Sequence, residues 1–279
     1  MMSESTTNLA GRARPARPQA VLTVLDRQWL SPHTVRITAG GPGFGALRMN
    51  DFTDKYAKVI FADPSLGLAP PYDLAALRES LPPGRQPVTR TYTLRRADAR
   101  RQQLAIDFVV HGDEGIAAPW AANAEPGDTL TLSGAGGAYR PDPGSDWHLF
   151  AGDESALPAI CAALEALPGD ARGHAYLETS DPGEYLDATP PSGIQVTWLH
   201  RPHAGSEPRL LADALLANPW PAGRADVFAH GERESMKAVR AILKTRLGDG
   251  DQLSLSGYWA SGRTEDVFQS EKRQPVGQI

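Results

Sequence analysis

Apolar and polar positions along the chain follow two different rhythms. From Ala20 to about Ser133, short runs rich in β-branched and aromatic residues alternate in part with polar ones: AVLTVLDR, HTVRITAG, YAKVIFAD, VTRTYTLR, LAIDFVVH and DTLTLSG. Each reads as a strand. GGPGFG, a long Pro-rich loop from Pro64 to Pro87, and EPGD punctuate them. Six strands at this spacing predict an antiparallel barrel or sandwich. One segment between the fifth and sixth runs, EGIAAPWAANA, predicts a short helix instead.

From about Trp147 the rhythm changes to strand, helix, strand. WHLFAG leads into ESALPAICAALEAL, where Leu157, Ile160, Leu164 and Leu167 fall at helical spacing. RGHAYLE, IQVTWLH, a short helix around Leu210 to Ala217, and ADVFAHG follow. ERESMKAVRAILKTRL then sets Met236, Val239, Leu243 and Leu247 on one stripe. Alternating β and α predicts a parallel sheet with flanking helices. Between the halves, GAGGAYRPDPGSD has the Gly and Pro content of a hinge. Ligands often bind between two such domains. The first 18 residues are small, polar and Arg/Pro-rich, and read as a disordered leader.

Composition narrows the function classes. The chain has 279 residues, 41% hydrophobic and 22% charged, with a net charge of −5. That charge supplies no basic stripe for nucleic acid. The sole cysteine, Cys161, excludes an internal disulfide and a cysteine-ligated iron–sulfur cluster; on its helical stripe it reads as a buried structural residue. No apolar run approaches the ~20 residues that span a bilayer. The N-terminus lacks the apolar core of a secretory signal, so the cytoplasm is the default. His200-Arg201-Pro202-His203 offers two histidines, but Pro202 opposes helical presentation and no third ligand is evident, so no metal site is expected.

Three segments carry candidate chemistry. Arg90-Thr91-Tyr92-Thr93 places a guanidinium, an aromatic ring and hydroxyls on one strand, ahead of Asp107-Phe108-Val109-Val110-His111-Gly112. The guanidinium could fork onto a pyrophosphate, and the ring could stack on an isoalloxazine. An ordinary strand with an exposed arginine and a core tyrosine fits the same residues. Gly115-Ile116-Ala117-Ala118-Pro119-Trp120 starts a helix with small residues, which lets backbone N–H groups approach a phosphate. Gly152-Asp153-Glu154-Ser155-Ala156-Leu157-Pro158 joins the first strand and helix of the α/β half, where a nucleotide is expected. Its two acidic residues are electrostatically odd neighbours for a phosphate.

Taken in order, Arg90-Thr91-Tyr92-Thr93, DFVVHGDEG, GDESALPAI, Gly257-Tyr258-Trp259 and Gly262-Arg263-Thr264-Glu265-Asp266 resemble the siderophore-interacting protein family, FAD-dependent ferric-siderophore reductases of the ferredoxin-reductase superfamily. The resemblance runs from about Ala20 to Lys272. It implies an antiparallel FAD-binding β-barrel over residues 19–145, linker included, and a parallel α/β NAD(P)H-binding domain with a C-terminal tail over 146–279. It also implies that electrons pass from NADPH or NADH through FAD to siderophore-bound Fe(III), releasing Fe(II). Arg90 would bind the FAD pyrophosphate, Tyr92 would pack on the flavin and Thr93 would face its N5 edge, with Thr91 between them. Asp107, Phe108, Val109 and His111 would line the ribityl and phosphate path. Gly115, Ala117, Ala118 and Trp120 would belong to the phosphate-binding helix start. Asp153, Glu154, Ser155 and Ala156 would lie in the nicotinamide-nucleotide pocket, and Tyr258 and Trp259 near the flavin at the domain interface. No covalent nucleophile or general acid is required, so these are positioning residues.

Ferric siderophores are often anionic, which calls for a cationic dock. Lys58, Arg140, Arg263 and Lys272 are the candidates, and Arg201 is a candidate for the 2′-phosphate of NADPH. The chain departs from the family pattern twice. Ala118 stands where a Ser or Thr hydroxyl commonly meets phosphate, a bond worth about 1.5–3 kcal/mol. Ala260 stands where an arginine commonly follows the Gly-Tyr-Trp motif. Two other readings stay open: a flavin oxidoreductase with a different acceptor, and a non-redox siderophore-binding protein. A reduced protein remains an alternative electron donor. Neither nucleic acid nor a membrane is expected as a partner, and a monomer is favoured.

Overall fold

A computed structural model describes residues 18–110, 115–184, 186–202 and 208–279. The strand-rich half forms β1 (Gln19–Trp29), β2 (Thr34–Gly40), β3 (Tyr56–Phe61), α1 (Leu74–Ser80), β4 (Val88–Thr93), β5 (Arg96–Asp98), β6 (Gln103–Val109), α2 (Ala117–Asn123) and β7 (Thr129–Gly136). Its seven strands pair antiparallel in the order β4-β3-β7-β1-β2-β6-β5. The two edges are consecutive in the chain and separated only by Leu94 and Arg95. Leu94 N–H donates to the Lys55 carbonyl (2.8 Å) and Arg95 N–H to the Ala105 carbonyl (2.9 Å). One segment thus passes from pairing β3 to pairing β6, and the sheet curls round without β4 and β5 pairing with each other.

Alternation places Leu22, Val24, Val35, Ile37, Leu104, Ile106, Leu130 and Leu132 inside this curl, all nearly inaccessible to water. Burying each such side chain is worth about 1.5–3 kcal/mol. Helix α2 closes one end: Ala117 and Ala121 join the core, and Trp120 packs on Phe61 (5.6 Å) and Phe108 (5.8 Å). Two elements differ from the sequence reading. Strand β5 is too short to alternate visibly. Helix α1 interrupts the Pro64–Pro87 loop, capped by the Asp73 carboxylate, which accepts from Ala75 and Ala76 N–H.

The second half forms β8 (Trp147–Gly152), α3 (Leu157–Ala166), β9 (Arg172–Thr179), β10 (Gly193–His200), α4 (Leu210–Ala217), β11 (Ala225–Glu232), α5 (Arg233–Arg246), β12 (Gln252–Trp259) and α6 (Glu265–Glu271). The sheet is parallel, ordered β10-β9-β8-β11-β12. Leu157, Ile160 and Leu164 of α3 pack with Phe150 and Phe228 on one face. Met236, Val239 and Leu243 of α5, with Leu211 and Leu215 of α4, cover the other. Leu167 and Leu247 each sit at the C-cap. Strand β12, an edge with serine at alternate positions, and helix α6 were not distinguished as elements in the sequence.

The Gly/Pro linker is not a free hinge. Asp54 Oδ1 accepts from the N–H of Ala138 and of Tyr139, both at 2.9 Å. The Tyr139 hydroxyl and the Asp142 N–H reach Asp226 Oδ2 at 3.1 and 2.8 Å, and the Tyr139 ring lies 4.8 Å from Phe228. Ion pairs tie the halves further along. Arg95 forks onto Glu165 (2.8 and 2.6 Å), and Arg36 reaches Asp187 at 2.7 Å. Glu184 accepts from Ser31 at 2.7 Å and Thr34 at 3.2 Å. Gly and Pro here serve tight turns between fixed contacts.

Candidate active site at the domain seam

A cavity of about 620 Å³ opens where the barrel meets the C-terminal ends of the parallel strands. Its volume is in the range of small-molecule and cofactor sites. Strand β4 forms one wall because it is the sheet edge that faces the α/β half. Arg90, Thr91, Tyr92 and Thr93 all line the cavity, together with Lys58, Asp107 and Val109. Glu154, Ser155, His230, Tyr258 and Trp259 line the opposite wall, as does Lys272, at the C-cap of α6.

The polar groups on the barrel wall are held in place. Arg90 Nη1 pairs with Asp266 at 3.3 Å and donates to the Thr89 carbonyl at 2.9 Å. Lys58 Nζ donates to Thr91 Oγ1 at 3.3 Å, and Thr91 donates onward to Glu265 at 3.4 Å. The ring of Tyr92 is backed by Phe108 at 4.3 Å, and burial raises its hydroxyl above the usual phenol range. Across the seam, Tyr258 lines the same cavity as Thr93, and burial raises its hydroxyl likewise. The His230 ring meets Tyr258 edge-on at 4.9 Å. Burial pushes that imidazole down to about 3, so it is neutral at pH 7.

The acidic pair after β8 has a structural explanation. The Asp153 carboxylate, only 2% exposed, accepts from Ser155 N–H (3.0 Å), Ser155 Oγ (2.5 Å), Glu232 N–H (2.7 Å) and Trp259 Nε1 (2.7 Å). It ties the ends of β8, β11 and β12 together and does not line the cavity. Gly231 permits this approach: its φ is +158°, and a Cβ there would lie 2.8 Å from Asp153 Oδ2. Burial raises the Asp153 carboxyl, opposed by the Ser155 hydrogen bond. Glu154 accepts from Ser180 N–H at 2.6 Å and is ion-paired with Arg201.

Several expected site residues lie elsewhere. Arg201 is not open to a phosphate: its side chain is 5% exposed and it binds Glu154 and Glu178, the latter at 3.0 Å. Phe108 faces the barrel core, because it falls on the inward phase of β6. Gly115, Ala117, Ala118 and Trp120 do not line the cavity, since the apolar face of α2 plugs the barrel. Ala156 is buried under α3. Arg140 is exposed and Arg263 is bound to Glu271 at 2.8 Å, and neither lines the cavity. His111 and His203 lie outside the described residues.

Sequence reasoning missed Asp54, Tyr56, Glu184, Asp187, His230, Ser254 and Ser256, all of which line the cavity. Serines 254 and 256 carry a signal: they alternate with Tyr258 on one face of a strand. Glu184 and Asp187 sit in a loop and carry none. The residues present fit a flavin. A ring wall backed by a second aromatic, two hydroxyls and an arginine converge on one cavity of suitable size.

Comparison with known proteins agrees. Residues 23–139 match the siderophore-interacting FAD-binding domain, and residues 145–262 match the siderophore-interacting protein model. The chain is 33% identical over 261 residues to the ferric vibriobactin reductase ViuB of Vibrio cholerae, covering 90% of this chain and 93% of that protein. This chain belongs to the siderophore-interacting protein family. It is also 29% identical over 245 residues to an NADPH-dependent ferric-chelate reductase of Escherichia coli, covering 85% of this chain and 91% of that one. Among solved structures, a siderophore utilization protein from T. fusca superposes with a TM-score of 0.75 at 35% identity, covering 88% of this chain and 94% of that one. Family membership accounts for the pairing of an antiparallel FAD-type domain with a parallel nucleotide-type domain.

Proposed function

We propose that this siderophore-interacting protein is an FAD-dependent ferric-siderophore reductase. It takes a hydride from a reduced nicotinamide nucleotide and delivers the two electrons singly to two siderophore-bound Fe(III) ions, releasing Fe(II) and one proton. The observation that carries this is the shared cavity. Arg90–Thr93 of the barrel and Ser155, Tyr258 and Trp259 of the α/β half border one space of about 620 Å³.

Bound FAD supplies the conversion between a two-electron hydride donor and one-electron acceptors. The chain's own residues hold and position. Arg90 would hold a pyrophosphate through the guanidinium edge that Asp266 does not occupy. Tyr92, backed by Phe108, supplies a rigid aromatic wall, and Thr93 with Tyr258 supplies hydroxyls at the seam. Ferric iron in a hydroxamate or catecholate cage is held by hard oxygen donors that grip Fe(II) far less strongly, so electron delivery suffices for release. Lys58 and Lys272 are the cavity-lining lysines, and burial lowers the Lys272 ammonium below the usual range. A half-desolvated cation attracts an anionic chelate more strongly than a solvated one. We place this chemistry in the cytoplasm, where reduced nicotinamide nucleotides are supplied. No helix of the described residues is long and apolar enough to cross a membrane.

The test is to load the protein with FAD, add NADH or NADPH and a ferric siderophore with a ferrous-specific chelator, and follow flavin absorbance and Fe(II) colour together. Flavin bleaching with catalytic Fe(II) release supports the reading. Bleaching without Fe(II) points to another acceptor. Siderophore binding without flavin or nucleotide engagement points to a non-redox binding protein.

A further inference from the structure

We propose that this chain selects NADH over NADPH, because Glu154 and Glu178 withhold Arg201 from the 2′ position of the nucleotide. The inference rests on the proposed use of a nicotinamide donor and specifies which one.

In an open parallel α/β sheet the nucleotide lies beyond the carboxyl ends of the strands. The groups that read the adenosine ribose come from the strand ends there: a carboxylate accepts from a 2′-hydroxyl, and a nearby arginine accommodates a 2′-phosphate. Here β9 ends at Glu178 and Thr179, and Arg201 follows β10. Arg201 stands where a 2′-phosphate ligand would be sought, but its fork is filled. Nη1 donates to Glu178 at 3.0 Å and Nη2 to Glu154. Its backbone N–H is fixed to the Thr179 carbonyl at 2.9 Å, and Glu154 is itself fixed by Ser180 N–H at 2.6 Å. One guanidinium faces two carboxyl groups, so its donors are already met inside the fold.

The next arginine among the described residues is already paired. Residues 202–208 contain no lysine or arginine, and Arg209 is engaged by Asp213 at 2.5 Å. On the α/β wall of the cavity, Glu154, Glu184 and Asp187 contribute carboxylates. The one lysine there, Lys272, caps the C-terminus of α6 close enough to Lys58 to feel its charge, and both line the cavity with Arg90 and Thr91. A 2′-phosphate would bring a charge of about −1.5 to −2 into this corner, where Arg201 and Arg209 already face carboxylates. A ribose diol meets hydroxyl and carboxylate groups instead.

The test measures binding apart from turnover. On the FAD-loaded protein, calorimetric titration with 5′-AMP and with 2′,5′-ADP reads the 2′ position alone. Anaerobic flavin bleaching against NADH and NADPH concentration gives the donor Kd values. The expected result is that the 2′-phosphorylated member of each pair binds about tenfold more weakly or worse, the scale of one charged hydrogen bond left unmade. Arg201→Ala leaves the NADH/NADPH ratio within about twofold, whereas Glu178→Gln loosens Arg201 and moves the ratio about tenfold toward NADPH. If Arg201→Ala fails to fold, Arg201→Met with Glu178→Gln removes the charges in balance and serves in its place. Tighter NADPH binding in the wild type, lost in the Arg201 variant, overturns the inference and leaves the reductase reading standing. Failure of both nucleotides to bind or bleach the flavin overturns the nicotinamide-donor reading, and this inference with it.

Discussion

Glu178 offers a test of the buried ionic corner that needs no ligand. Its carboxyl is 2% exposed, with Oε1 on Arg201 at 3.0 Å and Oε2 without a hydrogen-bond partner among the described residues. Burial is the dominant influence and outweighs Arg201, pushing the group up from 4.5 to about 7. Because the folded value lies above the unfolded one, the fold favours the protonated form. Its stability contribution is complete below about pH 4.5 and is lost as pH rises toward 7. At about 1.36 kcal/mol per pH unit, the loss over that window amounts to about 3 kcal/mol. Glu178→Gln cannot ionise and lacks this slope. Urea unfolding followed by tryptophan fluorescence, from pH 4.5 to 8, compares the two proteins. The stability of the wild type relative to the variant should fall by about 3 kcal/mol by pH 7 and level off above it. A difference constant to within about 0.5 kcal/mol across the window would refute the reasoning.

Other perturbations follow from the same geometry. Arg90→Ala removes the cavity-lining guanidinium of the barrel and should weaken FAD binding about tenfold or more, read by flavin fluorescence titration. Lys58→Ala and Lys272→Ala should each raise the ferric-siderophore concentration needed for half-maximal reduction, and the effect should shrink as salt is added. Asp187→Ala deprives Arg36 and Arg96 of ion pairs at 2.7 and 3.0 Å, but Asp107 still holds Arg36 at 2.6 Å. The cost should be about 2 kcal/mol, seen as a lower Tm.

Fold class was legible because both hydrophobic rhythms are strong. β8 is buried along its whole length, and the α3 and α5 stripes point where their spacing says. Weakly patterned elements were not legible: β5 has three residues, and β12 is an edge strand with serines where a core strand would carry branched apolar residues. The Arg90–Thr93 strand crowds three chemistries into four positions, and all four residues line the cavity. The surroundings of Asp153 and Arg201 were hidden for one reason. A charged residue near a nucleotide-type loop looks functional in one dimension, while its buried partners, Trp259 for Asp153 and Glu178 for Arg201, come from other strands. The linker misled similarly, since Gly and Pro report local turns and say nothing of Asp54 and Asp226, which hold it.

The central claim is electron passage through one seam cavity, and anaerobic sequential mixing tests it most directly. FAD-loaded protein is first reduced with a stoichiometric amount of NADH, then mixed with excess ferric siderophore and a ferrous-specific chelator, without further donor. The account predicts that flavin absorbance returns as Fe(II) appears, at two Fe(II) per flavin reoxidised. Flavin that stays reduced in the presence of the ferric siderophore, with no Fe(II) formed, would contradict it.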